Sequence, residues 1–231
     1  MRDFRLVVAA ALAVAALGTA RTAEALVLSA IDSGFYETRG GHFASDLTYW
    51  AGVCFPAERT FCDQPLGFRN FFVFDLAGLG PVSSATLTLW NGGFLDSPQT
   101  VTTGTFTVFD VSTPITELTA GTGGLPNDAI FGDLGSGTPF GSVVLTPEST
   151  GTFVSIVFNA AGIAAINSSL GGLLAVGGTL SPSPLAFENM VFFDGQAGDR
   201  LLEVESAVPE PMSVMMLGVG LVGLGLRKRR A

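Results

Sequence analysis

Arg69-Asn70-Phe71-Phe72-Val73-Phe74-Asp75-Leu76 and, after a Gly/Pro turn, Val82-Ser83-Ser84-Ala85-Thr86-Leu87-Thr88-Leu89-Trp90 are the stretches that decide the fold. In the second, Ala85, Leu87 and Leu89 share one face of an extended chain, while Ser84, Thr86, Thr88 and Trp90 share the other. That period of two marks a strand with one face in a core. In Phe71-Phe72-Val73-Phe74 both faces are apolar, which predicts a central strand covered on both sides. Working outward, short runs rich in Phe, Val, Thr and Leu recur between Gly, Pro, Asn and Asp turns. They predict further strands at 27–31, 102–111, 141–145, 152–158, 173–177, 189–194 and 201–205, beside those at 68–76 and 82–90. Such spacing suits an antiparallel sandwich or barrel. One helix is predicted among the strands. Asn159 can cap it, Ile163, Ile166 and Leu170 form one stripe, and Gly171 can end it in the left-handed conformation. At about three turns it should plug one end of the sandwich.

The whole chain is more apolar than such a domain needs. Of 231 residues, 48% are hydrophobic and only 13% charged, against about 25% charged in typical globular chains. So much apolar surface excludes a disordered chain. A formal charge of −9 and a pI near 4.4 leave no basic patch for phosphates, so nucleic acid is not an expected partner.

The excess sits at the two ends. Arg2 and Arg5 open a basic start, 6–18 is a run of Leu, Val and Ala, and Ala23-Glu24-Ala25 supplies a small-x-small cleavage pattern. This reads as a secretory signal over 1–25, cut by signal peptidase before Leu26, rather than a buried N-terminal helix. At the other end Val208-Pro209-Glu210-Pro211 precedes an apolar run over 212–226 and then Arg227-Lys228-Arg229-Arg230-Ala231. Fifteen helical residues reach roughly 22 Å, short of a hydrocarbon core of ~30 Å. Four of the fifteen are glycines, which weaken a helix further. The basic cluster is expected on the cytoplasmic side, which leaves the middle of the chain outside. Within this run, Gly218-Val219-Gly220-Leu221-Val222-Gly223 spells a dinucleotide fingerprint. It lacks the strand, the helix and the acid about twenty residues on that the motif requires. No cofactor is expected.

Pro209-Glu210-Pro211, the Gly-rich apolar segment and the Arg227/Lys228/Arg229/Arg230 cluster together resemble the PEP-CTERM sorting signal. The resemblance implies export, insertion in the cytoplasmic membrane through the C-terminal segment, and processing by an exosortase near Pro-Glu-Pro. The alternative is an ordinary tail anchor. The implied destination is the cell surface or an exopolysaccharide matrix. The chain thus divides into a signal peptide (1–25), an extracytoplasmic β-domain (26–207) and a sorting segment (208–231). The pair formed by residues 69–76 and 82–89 is also similar to jelly-roll modules of the DNRLRE type, which occur in exported, often carbohydrate-associated proteins. The expected fold class is therefore all-β: an antiparallel, jelly-roll-like sandwich with one short helix, plus a signal helix and a C-terminal hydrophobic helix.

Between 26 and 207 there are 17 acids against Arg39, Arg59, Arg69 and Arg200, and no lysine, leaving a charge near −13. Such a charge favours solubility and works against binding anionic surfaces unless a cation bridges them. Cys54 and Cys62 stand close together and alone, which in an oxidising compartment reads as a disulfide. The nine-residue loop would contribute about 2.5 kcal/mol.

Chemistry is sparse. His42 is the sole histidine, and no G-x-S-x-G elbow occurs. Paired carboxylates could run glycoside hydrolysis, but none is marked out. The expectation is a non-enzyme, with a secreted polysaccharide hydrolase as the weakest reading. Asp194-Gly195-Gln196-Ala197-Gly198-Asp199 is a Gly-rich turn with an acid at each end, so Asp194 and Asp199 are calcium candidates or a solvated turn. Tyr49, Trp50 and Trp90, with Tyr36 behind them, are candidates for stacking on sugars, since ring faces suit apolar sugar faces. Nineteen phenylalanines show that this chain also fills its interior with rings, so the alternative for each is core or rim packing.

Overall fold

The computed structural model describes residues 25–39, 41–45, 48–54, 66–92, 103–123, 125–181, 190–194 and 200–206. They belong to one compact unit, Ala25–Ser206. The expected signal helix and C-terminal helix lie outside the described residues, as do Cys62 and Asp199.

In chain order the described elements are β1 (Ala25–Ser29), β2 (Asp32–Glu37), β3 (Tyr49–Cys54), β4 (Leu66–Asp75), β5 (Val82–Asn91), β6 (Gly104–Asp110), helices α1 (Ile115–Ala120) and α2 (Asp128–Asp133), β7 (Pro139–Leu145), a 3-10 turn (Pro147–Ser149), β8 (Thr152–Val157), α3 (Ala160–Ser168), β9 (Leu173–Ser181), β10 (Met190–Asp194) and β11 (Arg200–Ser206). One sheet runs β1-β11-β5-β8 and the other β10-β3-β4-β9-β6-β7, with β2 also paired to β4. Every pairing is antiparallel. The fold is an all-β sandwich.

Two cores share β4, which explains its run of rings. Phe72 and Phe74 join Leu87, Leu89, Phe106, Val154, Ile156, Val176 and Leu202 between the sheets. Phe71 and Val73 point the other way, against Tyr36, Leu118, Ile130 and Leu134. The second core lies under α1 and α2, so the larger sheet is apolar on both faces. Each ring buried here contributes about 1.5–3 kcal/mol relative to leaving it in water.

The expected helix forms as α3. Asn159 Oδ1 accepts from Ala161 N at 2.9 Å and Gly162 N at 3.1 Å, Ile166 is buried, and Gly171 has φ +77°. It is fastened to the start of β5 by Asn167, whose amide brackets the backbone N–H and carbonyl of Val82 at 2.8 and 2.9 Å.

The expectation of one helix in the domain needs correction, because α1 and α2 are also helical. Each is only six residues long, below the length at which an apolar stripe becomes readable. Tertiary contacts hold them instead. Arg69, on β4, donates from Nη1 to the carbonyls of Phe131 at 2.6 Å and Gly132 at 3.0 Å, and its guanidinium lies 4.4 Å from the Phe131 ring centre. Burial lowers its pKa from the usual value. Where α2 ends, Leu134 rests on β9, and a Cβ at Gly177 would come within 2.7 Å of its carbonyl oxygen. Only glycine admits that approach.

Candidate functional site

The outer face of the four-stranded sheet carries Trp90 among outward-facing polar side chains. Alternation sends Ala85, Leu87, Leu89, Val154, Ile156, Leu202 and Val204 into the core. Their neighbours face outward in ranks fixed by the register. Trp90 stands opposite Phe153, with ring centres 5.0 Å apart in an edge-to-face arrangement. In the next rank Thr88 lies between Ser155 and Leu201, and the Thr88 and Ser155 hydroxyls share a hydrogen bond of 3.2 Å. Beyond it Thr86 lies between Val157 and Glu203, then Ser84 opposite Glu205, whose Oε2 accepts from Ser84 Oγ at 2.7 Å. Phe153 is 51% exposed and Trp90 partly so. The result is an aromatic pair, a band of hydroxyls and two carboxylates along one sheet face. Among the described residues this face carries no basic side chain.

Of the expected sugar-stacking residues, Trp90 therefore lies on an open face, with Phe153 as a partner that sequence reading missed. An alternating apolar/polar strand such as 152–157 would have shown Phe153 on the side of Ser155 and opposite Val154 and Ile156, but pairing with Trp90 depends on register. Trp50 is partly exposed on the other sheet, stacked on Phe35 at 5.7 Å and 5.4 Å from Phe68. The two tryptophans thus belong to different sheets.

Tyr49 and Tyr36 are used differently from the expectation, because neither has exposed surface. The Tyr49 ring packs 5.2 Å from Phe72, its hydroxyl donates to the Trp90 carbonyl at 2.7 Å, and the guanidinium of the buried Arg200 lies 5.8 Å from its ring centre. Tyr36 donates to the Leu118 carbonyl at 2.9 Å, tying β2 to α1. Burial, and then the charge of Glu117, push its pKa up to about 12.

His42 is buried, edge-on to Phe71 at 5.0 Å and 5.5 Å from Tyr36. A side chain at Gly34 would strike its imidazole. Its surroundings are those of a packing residue. Asp194 ends β10 with its backbone paired to Tyr49. Asp199 lies outside the described residues, so that calcium turn is not described. Among the described residues no three His, Cys, Asp or Glu gather as metal ligands. Cys54 ends β3.

A hydrogen-bonded carboxylate network at Asp133 ties the end of α2 to the segment after β6. Asp133 accepts from the backbone N–H and hydroxyl of both Ser112 and Thr113 at 2.6–3.0 Å. Burial alone would raise its pKa, but these hydrogen bonds outweigh it and hold the carboxyl below its usual value.

The last described strand ends at Ser206. Residues 207–230 match the profile of the PEP-CTERM protein-sorting motif. The tail is a PEP-CTERM sorting signal. No curated relative matches the chain. The motif marks an exported protein, sorted through its C-terminus at the membrane and handled by an exosortase. The PEP-CTERM match begins at the residue after β11, and β11 pairs with β1 from Ala25 opposite Glu205 to Ser29 opposite Leu201. The first and last strands of the β-domain are therefore neighbours in one sheet.

Proposed function

We propose that this protein is an exported, non-enzymatic β-sandwich whose role is at the cell surface or in an exopolysaccharide matrix. The observation that carries the reading is the PEP-CTERM motif joined without a spacer domain to an all-β unit. Signal peptidase would free the chain before Leu26, and the exosortase would act near Pro209-Glu210-Pro211. Intact-mass measurement of the protein recovered from its own cells tests this. The expected product begins at Leu26 and lacks most of 208–231, while cells without exosortase keep the tail. A mature protein that retains 208–231 in the presence of active exosortase would overturn the reading.

A second reading, carbohydrate binding, is favoured by Trp90 beside Phe153 on the open sheet face. Aromatic faces and a band of hydroxyls match the two sides of a sugar ring. Retention on immobilised polysaccharides that Trp90→Ala weakens about tenfold would support it. Equal retention of the two proteins would remove it. Trp50 serves as the comparison, since Trp50→Ala alters the other sheet.

A further inference from the structure

Resting on the carbohydrate reading, we infer that the outer face of the β1-β11-β5-β8 sheet recognises a polysaccharide bearing protonated amino groups. Three features of that face bear on the ligand, and the third selects it.

The first is the Trp90–Phe153 pair, which gives a sugar ring an apolar surface to lie on. The second is direction. Thr88 and Ser155, then Thr86, continue from the pair along the strands as a hydroxyl band. Trp90 stands four residue steps from Thr86, about 14 Å at 3.4 Å per residue. An extended polymer laid along the strands covers that length, whereas a monosaccharide does not. The third is charge. Glu203 lies opposite Thr86, and Glu205 follows on the same face of β11, about 7 Å further on. Both are exposed, and no cationic side chain on this face balances them among the described residues. Glu205 is oriented by Ser84 Oγ. The Glu203 carboxylate, between Val27 and Thr86, has no side-chain hydrogen bond or ion pair among the described residues.

A polyanionic glycan laid on the aromatic pair would run into two carboxylates, in a domain that already carries a charge near −13. A neutral glycan would meet them only through hydroxyl hydrogen bonds, without the charge attraction that an ammonium group adds. Ammonium groups spaced along a polymer would meet both, and the aromatic pair would hold the ring that precedes them.

The test uses the exported protein and four immobilised probes: chitosan, its fully N-acetylated counterpart chitin, cellulose and alginate. Binding is measured at slightly acid pH, where the amines are protonated, at low and high salt. The expected result is retention on chitosan at least tenfold above that on chitin and alginate, weakened by salt. Glu203→Gln/Glu205→Gln should reduce chitosan retention to the level seen on chitin. Trp90→Ala and Phe153→Ala should each weaken it, and far-UV circular dichroism checks that each variant keeps its sheet structure. Trp90- and Phe153-dependent binding to chitin or cellulose that matches chitosan binding, with no effect of the glutamine variant, would overturn this inference but keep the carbohydrate reading. Chitosan binding lost in the glutamine variant yet untouched by Trp90→Ala and Phe153→Ala would reduce the effect to bulk charge attraction and overturn the inference. Binding to none of the four would overturn the inference together with the carbohydrate reading.

Discussion

At the scale of single residues, Asp133 shows how a surface carboxylate becomes structural. Its four hydrogen bonds from Ser112 and Thr113 join the segment after β6 to the last turn of α2. Hydrogen bonds to a charged group contribute about 1.5–3 kcal/mol each net of the water they replace, and Asp133→Asn weakens rather than removes them, so it should destabilise the domain by about 1–3 kcal/mol at neutral pH. The sign of the pH dependence follows from the direction of the shift. The folded carboxyl lies below its ordinary value of 3.8. Its stabilisation is therefore complete above the unfolded value and disappears as the pH falls through the folded one. Urea midpoints of the two proteins should differ at pH 7 and converge as the pH falls below the ordinary carboxylate range. A constant difference down to pH 2 would show that the charge is not what matters. Tyr36 is the alkaline counterpart. Its pKa near 12 means that the neutral phenol stabilises the fold fully below the ordinary value of 10, and that this contribution is lost as the pH rises through 12. Tyr36→Phe leaves the Leu118 carbonyl without its donor and should cost about 1–3 kcal/mol, read as a lower urea midpoint at pH 7.

At the scale of elements, the sandwich strands were legible because their side chains report their surroundings. Phe71-Phe72-Val73-Phe74 announces a strand covered twice, and β4 does separate two cores. Ala85, Leu87 and Leu89 announce one buried face, and they are buried. The strands that sequence reading missed are those whose one large buried ring is accompanied by small residues rather than by further large apolar ones. In β2 the buried residues are Ser33, Gly34 and Tyr36, and β3 contains Gly52 with φ +134°. The candidate site was legible in part for the same reason. Trp90 stands on a polar strand face in the sequence itself, whereas Phe153, Glu203 and Glu205 join it only through strand pairing. Helices α1 and α2 were invisible because their stability comes from contacts distant in sequence. Arg69 makes this testable. Arg69→Met keeps an apolar stem but removes the donors to Phe131 and Gly132 and the charge over the Phe131 ring. Hydrogen exchange at 128–134 should accelerate about tenfold or more, while amides of α3, capped by Asn159, keep their protection. Uniform acceleration across both would mean that the whole domain, rather than α2, had been loosened.

At the scale of the whole molecule, location explains what composition alone could not. The basic residues and longest apolar runs gather at the ends, with seven of the eleven Lys and Arg lying in 1–25 and 208–231. The PEP-CTERM motif accounts for one of these ends as a sorting device. What lies between is a lysine-free β-domain with a charge near −13, two cores and two cysteines. Export also sets the redox state in which that domain works. The bond between Cys54 and Cys62 that the sequence suggests would close only outside the cytoplasm, since the cytoplasm keeps thiols reduced. Cys54 ends β3, which contributes Tyr49 and Ala51 to the inter-sheet core and pairs with β10 and β4. A crosslink there would restrain the connection between β3 and β4 in the unfolded chain, with a stabilisation of about 2.5 kcal/mol for a loop of nine residues. Protein recovered after export should therefore lose about that much on reduction. Cys54→Ser/Cys62→Ser should match the reduced wild type in urea unfolding and be indifferent to reductant. If wild type and variant instead unfold at the same urea concentration without reductant, the two thiols are unpaired, and β3 is held by its sheet partners alone.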